Sequence, residues 1–182
     1  MHVTSDFDTV EKETPGKPVA TLPGPLDTLF SAVHRLFEIA VVILFAAMVF
    51  AALWQVVNRF LLGSTLSWSE EFQRYSHIWL VFFAVPIGYR RNAHIGVDIL
   101  QNALGARGAL VLGWIIDLAW LVLGVAIISG TATLMGVAWR QTSPGMGVTM
   151  DKVYLGLLIG GAYLVFTAVD RLLQKVLGVS AA

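Results

Sequence analysis

The chain has 182 residues, 57% of them hydrophobic and only 13% charged, whereas soluble domains carry about 25% charged residues. With a mean hydropathy of +0.74, it cannot hide its apolar side chains in one small core, and lipid must solvate many of them. Twelve basic and twelve acidic residues cancel and leave no nucleic-acid footprint, and the absence of cysteine excludes disulfides, thiolate catalysis and Cys-based metal sites.

Residues 1–25 hold Pro15, Pro18, Pro23 and Pro25 without an apolar period, which predicts a flexible cytoplasmic tail ahead of a four-helix membrane domain over 26–182. The first apolar run begins only near Ile39 and is too long for a signal peptide, so it is expected to stay in the mature protein. Asp27 stands in a helix-starting position, and Leu26, Leu29, Phe30, Val33 and Phe37 recur at helical spacing as an amphipathic lead-in.

The first span is predicted over about 36–62, ended by Gly63 and Ser64; crossing a ~30 Å core needs only about 20 residues. The second, about 68–89, is the least apolar, and Pro86 near its end is expected to kink it. The third covers about 109–139 and the fourth about 153–173. Between the second and third, residues 92–107 alternate Ile95, Val97, Ile99, Leu100 and Leu104 with Asp98, Gln101 and Asn102. That stretch is too short and polar to cross, and a short amphipathic helix lying in the interface is the natural reading, with a solvated loop as the other. The expected fold is therefore an all-α integral membrane protein with four transmembrane helices and one interfacial helix.

Lys and Arg set the orientation. With the N-terminus inside, Lys12, Lys17, Arg35, Arg90, Arg91, Arg107, Arg171 and Lys175 fall on the inner side, against Arg59, Arg74, Arg140 and Lys152 outside. The pair Arg90-Arg91 decides it, and both termini are expected in the cytoplasm.

Chemistry-bearing residues concentrate in Trp68-Ser-Glu-Glu-Phe-Gln-Arg-Tyr-Ser-His77. Glu70, Glu71, Arg74 and His77 lie three or four apart and form one polar stripe on a helix. Arg74 and His77 would sit ~9 Å and ~14 Å below Trp68 by helical rise, and a lone charge near the bilayer centre costs about 2.5–3.5 kcal/mol. The stripe therefore wants a partner. It can be read as a proton or ion relay, or as ion pairing within the bundle or with another subunit; below His77 the residues Val81, Phe82, Phe83, Ala84 and Val85 leave a relay no continuation. Asp117 stands alone in the third span and reads as a protonated carboxylate or one paired across an interface, with cation binding as the other reading, for which several oxygen ligands are normally needed. Asp170 and Arg171 read as snorkelling at the inner end of the fourth. Gly156 and Gly160 suit close helix packing of the GxxxG type. His2, His34, His77 and His94 share no depth within spans, so no haem is expected, and no nucleotide, zinc or nucleophile-elbow motif points to an enzyme. No cofactor or metal is expected.

The stretch Leu66-Ser-Trp-Ser-Glu-Glu-Phe-Gln-Arg-Tyr, then Trp79-Leu-Val-Phe-Phe, Arg90-Arg91-Asn-Ala-His94-Ile-Gly-Val-Asp98 and Thr142-Ser-Pro-Gly-Met-Gly-Val resembles the small membrane subunit of TRAP (tripartite ATP-independent periplasmic, DctQ-like) transporters. The resemblance runs from about residue 30 to about 175. It implies a bacterial inner-membrane scaffold working with a large many-spanning subunit and a periplasmic binding protein, in a sodium-driven importer of organic acids such as carboxylates or sulfonates. Sodium and substrate would bind mainly in the large subunit, and a chain ending soon after its fourth span would be the unfused form. The alternative is a self-sufficient homo-oligomeric channel or transporter built around the Glu70/Arg74/His77 stripe.

Overall fold

The structure is a computed structural model that describes residues 25–63, 66–91 and 95–177, with side chains described over 28–63, 66–91 and 108–177. The expected tail over 1–25 lies outside it but for Pro25. Among the described residues four α-helices follow one another: α1 (Pro25–Val57), α2 (Ser67–Arg90), α3 (Ile95–Ala138) and α4 (Met150–Val176). Among the described residues three helical segments are long and apolar enough to cross a membrane, namely Thr28–Leu62, Gly108–Ala138 and Met150–Val176. At ~1.5 Å per residue α2 also has the reach, ~36 Å, but Ser67, Ser69, Glu70, Glu71, Gln73, Arg74, Ser76 and His77 make its first half polar.

Pro25 occupies the first turn of α1, where its missing N–H costs nothing. The helix widens after Val57 into a π turn, Asn58–Leu62, in which the buried Asn58 donates from Nδ2 to the Trp54 carbonyl at 2.9 Å. Gly63 then stops it in the left-handed region at φ 64°, a conformation that a side chain would strain. Helix α2 continues through Pro86 to Arg90.

One expectation needs correction. The segment 92–107 is not a separate short helix: from Ile95 it forms the first turns of α3, which runs unbroken for 44 residues to Ala138. No proline interrupts that stretch, and Gly105 and Gly108 cost an α-helix only about 1 kcal/mol each, too little to break it. At ~1.5 Å per residue α3 is ~66 Å long, far more than a bilayer requires.

Helix α4 sits between α3 and α2, and α2 sits between α4 and α1, giving the spatial order α1-α2-α4-α3. The packed centre is Tyr89, Leu164 and Ala168, against which Ile116, Trp120, Leu121 and Ile127 close. Near its start α1 also touches α4: Phe37 stacks on Tyr163 with ring centroids 3.8 Å apart, and Phe30 meets Phe166 at 4.6 Å. Elsewhere α1 and α3 expose their large apolar side chains, among them Val42, Ile43, Phe50, Leu53, Leu110, Ile115 and Val122. Only a hydrocarbon solvent or a partner makes such a surface stable.

Candidate partner-facing site and buried polar clusters

Successive residues of a helix are turned ~100° apart, and this splits the stripe predicted on α2. Glu70, Arg74 and His77 lie on its exposed face, in line with Ser67, Val81 and Val85, whereas Glu71 points inward and is buried. Arg74 forms no ion pair among the described residues, and its guanidinium lies 5.6 Å from the Tyr75 ring centroid. Glu70 accepts a long 3.4 Å hydrogen bond from Gln55 of α1. Gln55 is also the centre of an α1–α2 clasp, accepting from Ser69 Oγ at 3.1 Å and Gln73 Nε2 at 2.9 Å.

Glu71 is held by the loop before α4. Its Oε2 accepts from the Ser143 hydroxyl, the Gly145 N–H at 3.0 Å and the Met146 N–H at 2.9 Å. The loop is shaped for this: Ser143 N–H donates to Val148 O and Gly147 N–H to Ser143 O, both at 2.9 Å, while Gly147 turns the chain at φ 66°. A Cβ on Gly145 would lie 2.9 Å from the Ser67 carbonyl, so the close approach of loop to helix needs glycine there. Leu66, Ser67, Glu70, Glu71, Arg74, Pro144 and Gly145 line a shallow cleft of about 520 Å³ where helix and loop meet.

Asp117 is buried at 1% exposure and is not alone. Tyr89 Oη donates to its Oδ1 at 2.5 Å, Arg171 Nε lies 3.2 Å from Oδ1, and Lys175 pairs with Oδ2. Arg171 also donates to the Tyr89 carbonyl at 2.8 Å and lies over the Tyr89 ring at 4.6 Å. Arg171 therefore turns into the bundle, where snorkelling was expected.

A second cluster was missed in the sequence. His34 of α1, buried at 1% exposure, has Nδ1 2.9 Å from Tyr163 Oη and Nε2 3.3 Å from Asp170 Oδ2. Gln174 donates to the other Asp170 oxygen at 2.9 Å. The signal was present: Tyr163, Thr167, Asp170 and Gln174 recur at helical spacing and mark a polar line on α4.

Gly156 and Gly160 face α2. A Cβ on Gly156 would strike the Trp79 ring, and one on Gly160 would lie 2.6 Å from Phe82 Cβ. Trp79 itself donates from Nε1 to the Val153 carbonyl at 2.8 Å. Of the two arginines expected to set the topology, Arg91 pairs with Glu38 at 2.8 Å, and Arg90 closes the last turn of α2. No group of three or more potential metal-ligating side chains occurs among the described residues.

Long apolar helices carrying exposed hydrophobic faces, with Asp117, Arg171 and Lys175 paired between α3 and α4, define a multi-pass membrane protein. The family of tripartite ATP-independent periplasmic (TRAP) transporters, DctQ component, matches residues 48–178, and the chain belongs to that family. A Haemophilus influenzae protein assigned as a TRAP transporter small permease is 26% identical over 79% of this chain and 89% of its own length. The C4-dicarboxylate TRAP transporter small permease protein DctQ of Rhodobacter capsulatus is 30% identical over 64% of this chain and half of its own. The isethionate TRAP transporter permease protein DctMQ of Oleidesulfovibrio alaskensis is 25% identical over 97% of this chain but only 28% of its own length. The family is one of transport subunits, not enzymes, and TRAP small subunits work with a large permease subunit and a periplasmic binding protein.

Proposed function

We propose that this chain is the static small subunit of a sodium-driven TRAP importer of organic acids in a bacterial inner membrane, and that the exposed face of α2 meets the large subunit. The observation that carries the second part is the line Glu70, Arg74, His77 on an uncovered helix face, with Arg74 outside any ion pair among the described residues. Charges at that depth are unstable against lipid and call for a protein surface of complementary charge. The DctMQ relative, most of whose length lies beyond its match to this chain, supports a large membrane partner.

In this reading α2 is the fourth crossing, paired with its costly charges to a partner, and both termini are cytoplasmic. The first turns of α3, from Ile95, carry the same helix past the inner face of the membrane, because its ~66 Å length exceeds what a bilayer requires. The loop held by Glu71 then faces the periplasm, where the binding protein arrives. Residues 26–182 form one membrane domain behind a cytoplasmic tail. Substrate and sodium bind mainly in the large subunit; relatives named for C4-dicarboxylate, isethionate and ectoine support organic acids as the class.

The test is reconstitution. Uptake of an organic acid into liposomes should require this chain, the large subunit, the binding protein and a sodium gradient together. Arg74→Ala should reduce co-purification of the large subunit. Flux through this chain alone would replace the scaffold with a homo-oligomeric channel, and unchanged co-purification would remove Arg74 from the interface.

A further inference from the structure

Among the described residues at the end of the bundle away from the Glu71 loop, the charges do not balance. Asp117 takes Arg171 and Lys175, Glu38 takes Arg91, and Asp170 meets His34 and Gln174. Arg90 has no such acidic partner among the described residues, and its Nε is buried with no hydrogen-bond partner. The four cations Arg90, Arg91, Arg171 and Lys175 thus outnumber Glu38, Asp117 and Asp170. They are brought together by geometry: Arg171 donates to the carbonyl of Tyr89, the residue before Arg90, and Arg91 follows directly on Arg90.

A buried guanidinium N–H without an acceptor calls for an anion, and the planar fork of arginine suits the oxygens of a phosphate. The surroundings say what the anion is attached to. Leu36 and Ile39 of α1 and Leu173 and Val176 of α4 are exposed apolar side chains within a few turns of this end. Trp114, itself exposed, has Lys175 5.8 Å from its ring, the pairing of aromatic and cation typical of the membrane–water boundary. An anion with hydrocarbon tails fits both features, and a basic site between helix ends is where acidic headgroups bind. We propose that Arg90 takes the phosphate of an anionic phospholipid, with Arg171 and Lys175 supplying the surrounding positive field. The proposal rests on the membrane placement of the chain and not on the transport reading.

Native mass spectrometry of the full chain, delipidated in mild detergent, tests it with three probes: phosphatidylglycerol, phosphatidylcholine and inorganic phosphate. Phosphatidylglycerol should bind about tenfold more tightly than phosphatidylcholine, a difference readable in the bound fraction. Arg90→Gln should abolish that preference, while Arg140→Gln, at the other end of α3, should keep it. Equal phosphatidylglycerol binding by Arg90→Gln and the parent would overturn the proposal. So would full competition by inorganic phosphate, which would make the site one for a free ion. Loss of the large subunit from Arg90→Gln with lipid binding intact would assign Arg90 to a protein carboxylate instead. If Arg90→Gln does not fold, Arg90→Lys decides: loss of the fork should weaken phosphatidylglycerol binding severalfold, and unchanged binding would sink the idea.

Discussion

The Glu71 carboxylate of α2 accepts a hydrogen bond from the Ser143 hydroxyl, 72 positions later in the chain, and two further ones from the amides of Gly145 and Met146. One buried carboxylate thereby fixes the shape of the loop between α3 and α4 relative to the start of α2. Hydrogen bonds to an ionised acceptor contribute about 1.5–3 kcal/mol each, and part of that sum offsets the desolvation of Glu71.

Glu71→Ala should therefore destabilise the protein by about 2–3 kcal/mol, on the scale of losing one or two such bonds. The loss should be local in its first effect. Hydrogen exchange at the Gly145 and Met146 amides should accelerate strongly while amides in the middle of α4 stay protected. Unchanged exchange at those two positions would show that the loop holds its form without Glu71.

Asp117 is in direct contact with both Arg171 and Lys175. Asp117→Ala strands Lys175 and removes one of the contacts of Arg171, and breaking a buried pair from one side costs about 3–5 kcal/mol. Lys175→Met in the same background should return part of that loss, because one stranded charge is gone. Thermal unfolding of the two single variants and the double variant in detergent measures the coupling. Strict additivity would mean that Asp117 and Lys175 do not depend on each other.

The sequence made α1, α4 and the later part of α3 legible because an uninterrupted apolar run of that length has few alternatives. It misread the start of α3. The alternation of Ile95, Val97 and Ile99 with polar residues suggested a change of environment, but backbone hydrogen bonding carries the helix through such a change. The α2 stripe was legible as charge on a helix, and its division was not. Which side of α2 is covered depends on where α4 and its loop pack, and no local pattern around Glu70 and Glu71 encodes that. Asp117 looked isolated for the same reason: its partners stand 54 and 58 positions away in sequence on another helix.

His34 supplies the polar contacts between α1 and α4, through Tyr163 and Asp170. His34→Ala leaves both of those buried groups short of a partner, at about 1–3 kcal/mol for an unsatisfied group. The start of α1 should then move relative to α4. A chain without cysteine takes site-directed spin labels cleanly; labels on Ser31→Cys and the exposed Val176→Cys in the full protein should show a broader distance distribution after His34→Ala. An unchanged distribution would mean that the Phe37–Tyr163 and Phe30–Phe166 contacts suffice.

Helix α4 carries glycines where α2 and α3 come close, and the glycines of α3 provide their own control. Alanine is better than glycine in a helix by about 1 kcal/mol when nothing stands in the way. At Gly130 and Gly136 of α3 an added methyl would meet no atom within 4 Å, so Gly130→Ala and Gly136→Ala should be neutral or slightly stabilising in isolation. Gly156→Ala instead drives a methyl into the Trp79 ring, and Gly160→Ala places one 2.6 Å from Phe82 Cβ and 2.9 Å from its carbonyl oxygen. Overpacking of this kind costs about 1–3 kcal/mol. At Gly160 the obstacle includes backbone, which cannot rotate away, so its loss should be the harder to relieve by a second change. Trp79→Phe should rescue Gly156→Ala in a melting experiment, and no truncation of Phe82 beyond Cβ should rescue Gly160→Ala. Rescue of Gly160→Ala by Phe82→Leu would show that the helices can part more easily than their backbone contact implies.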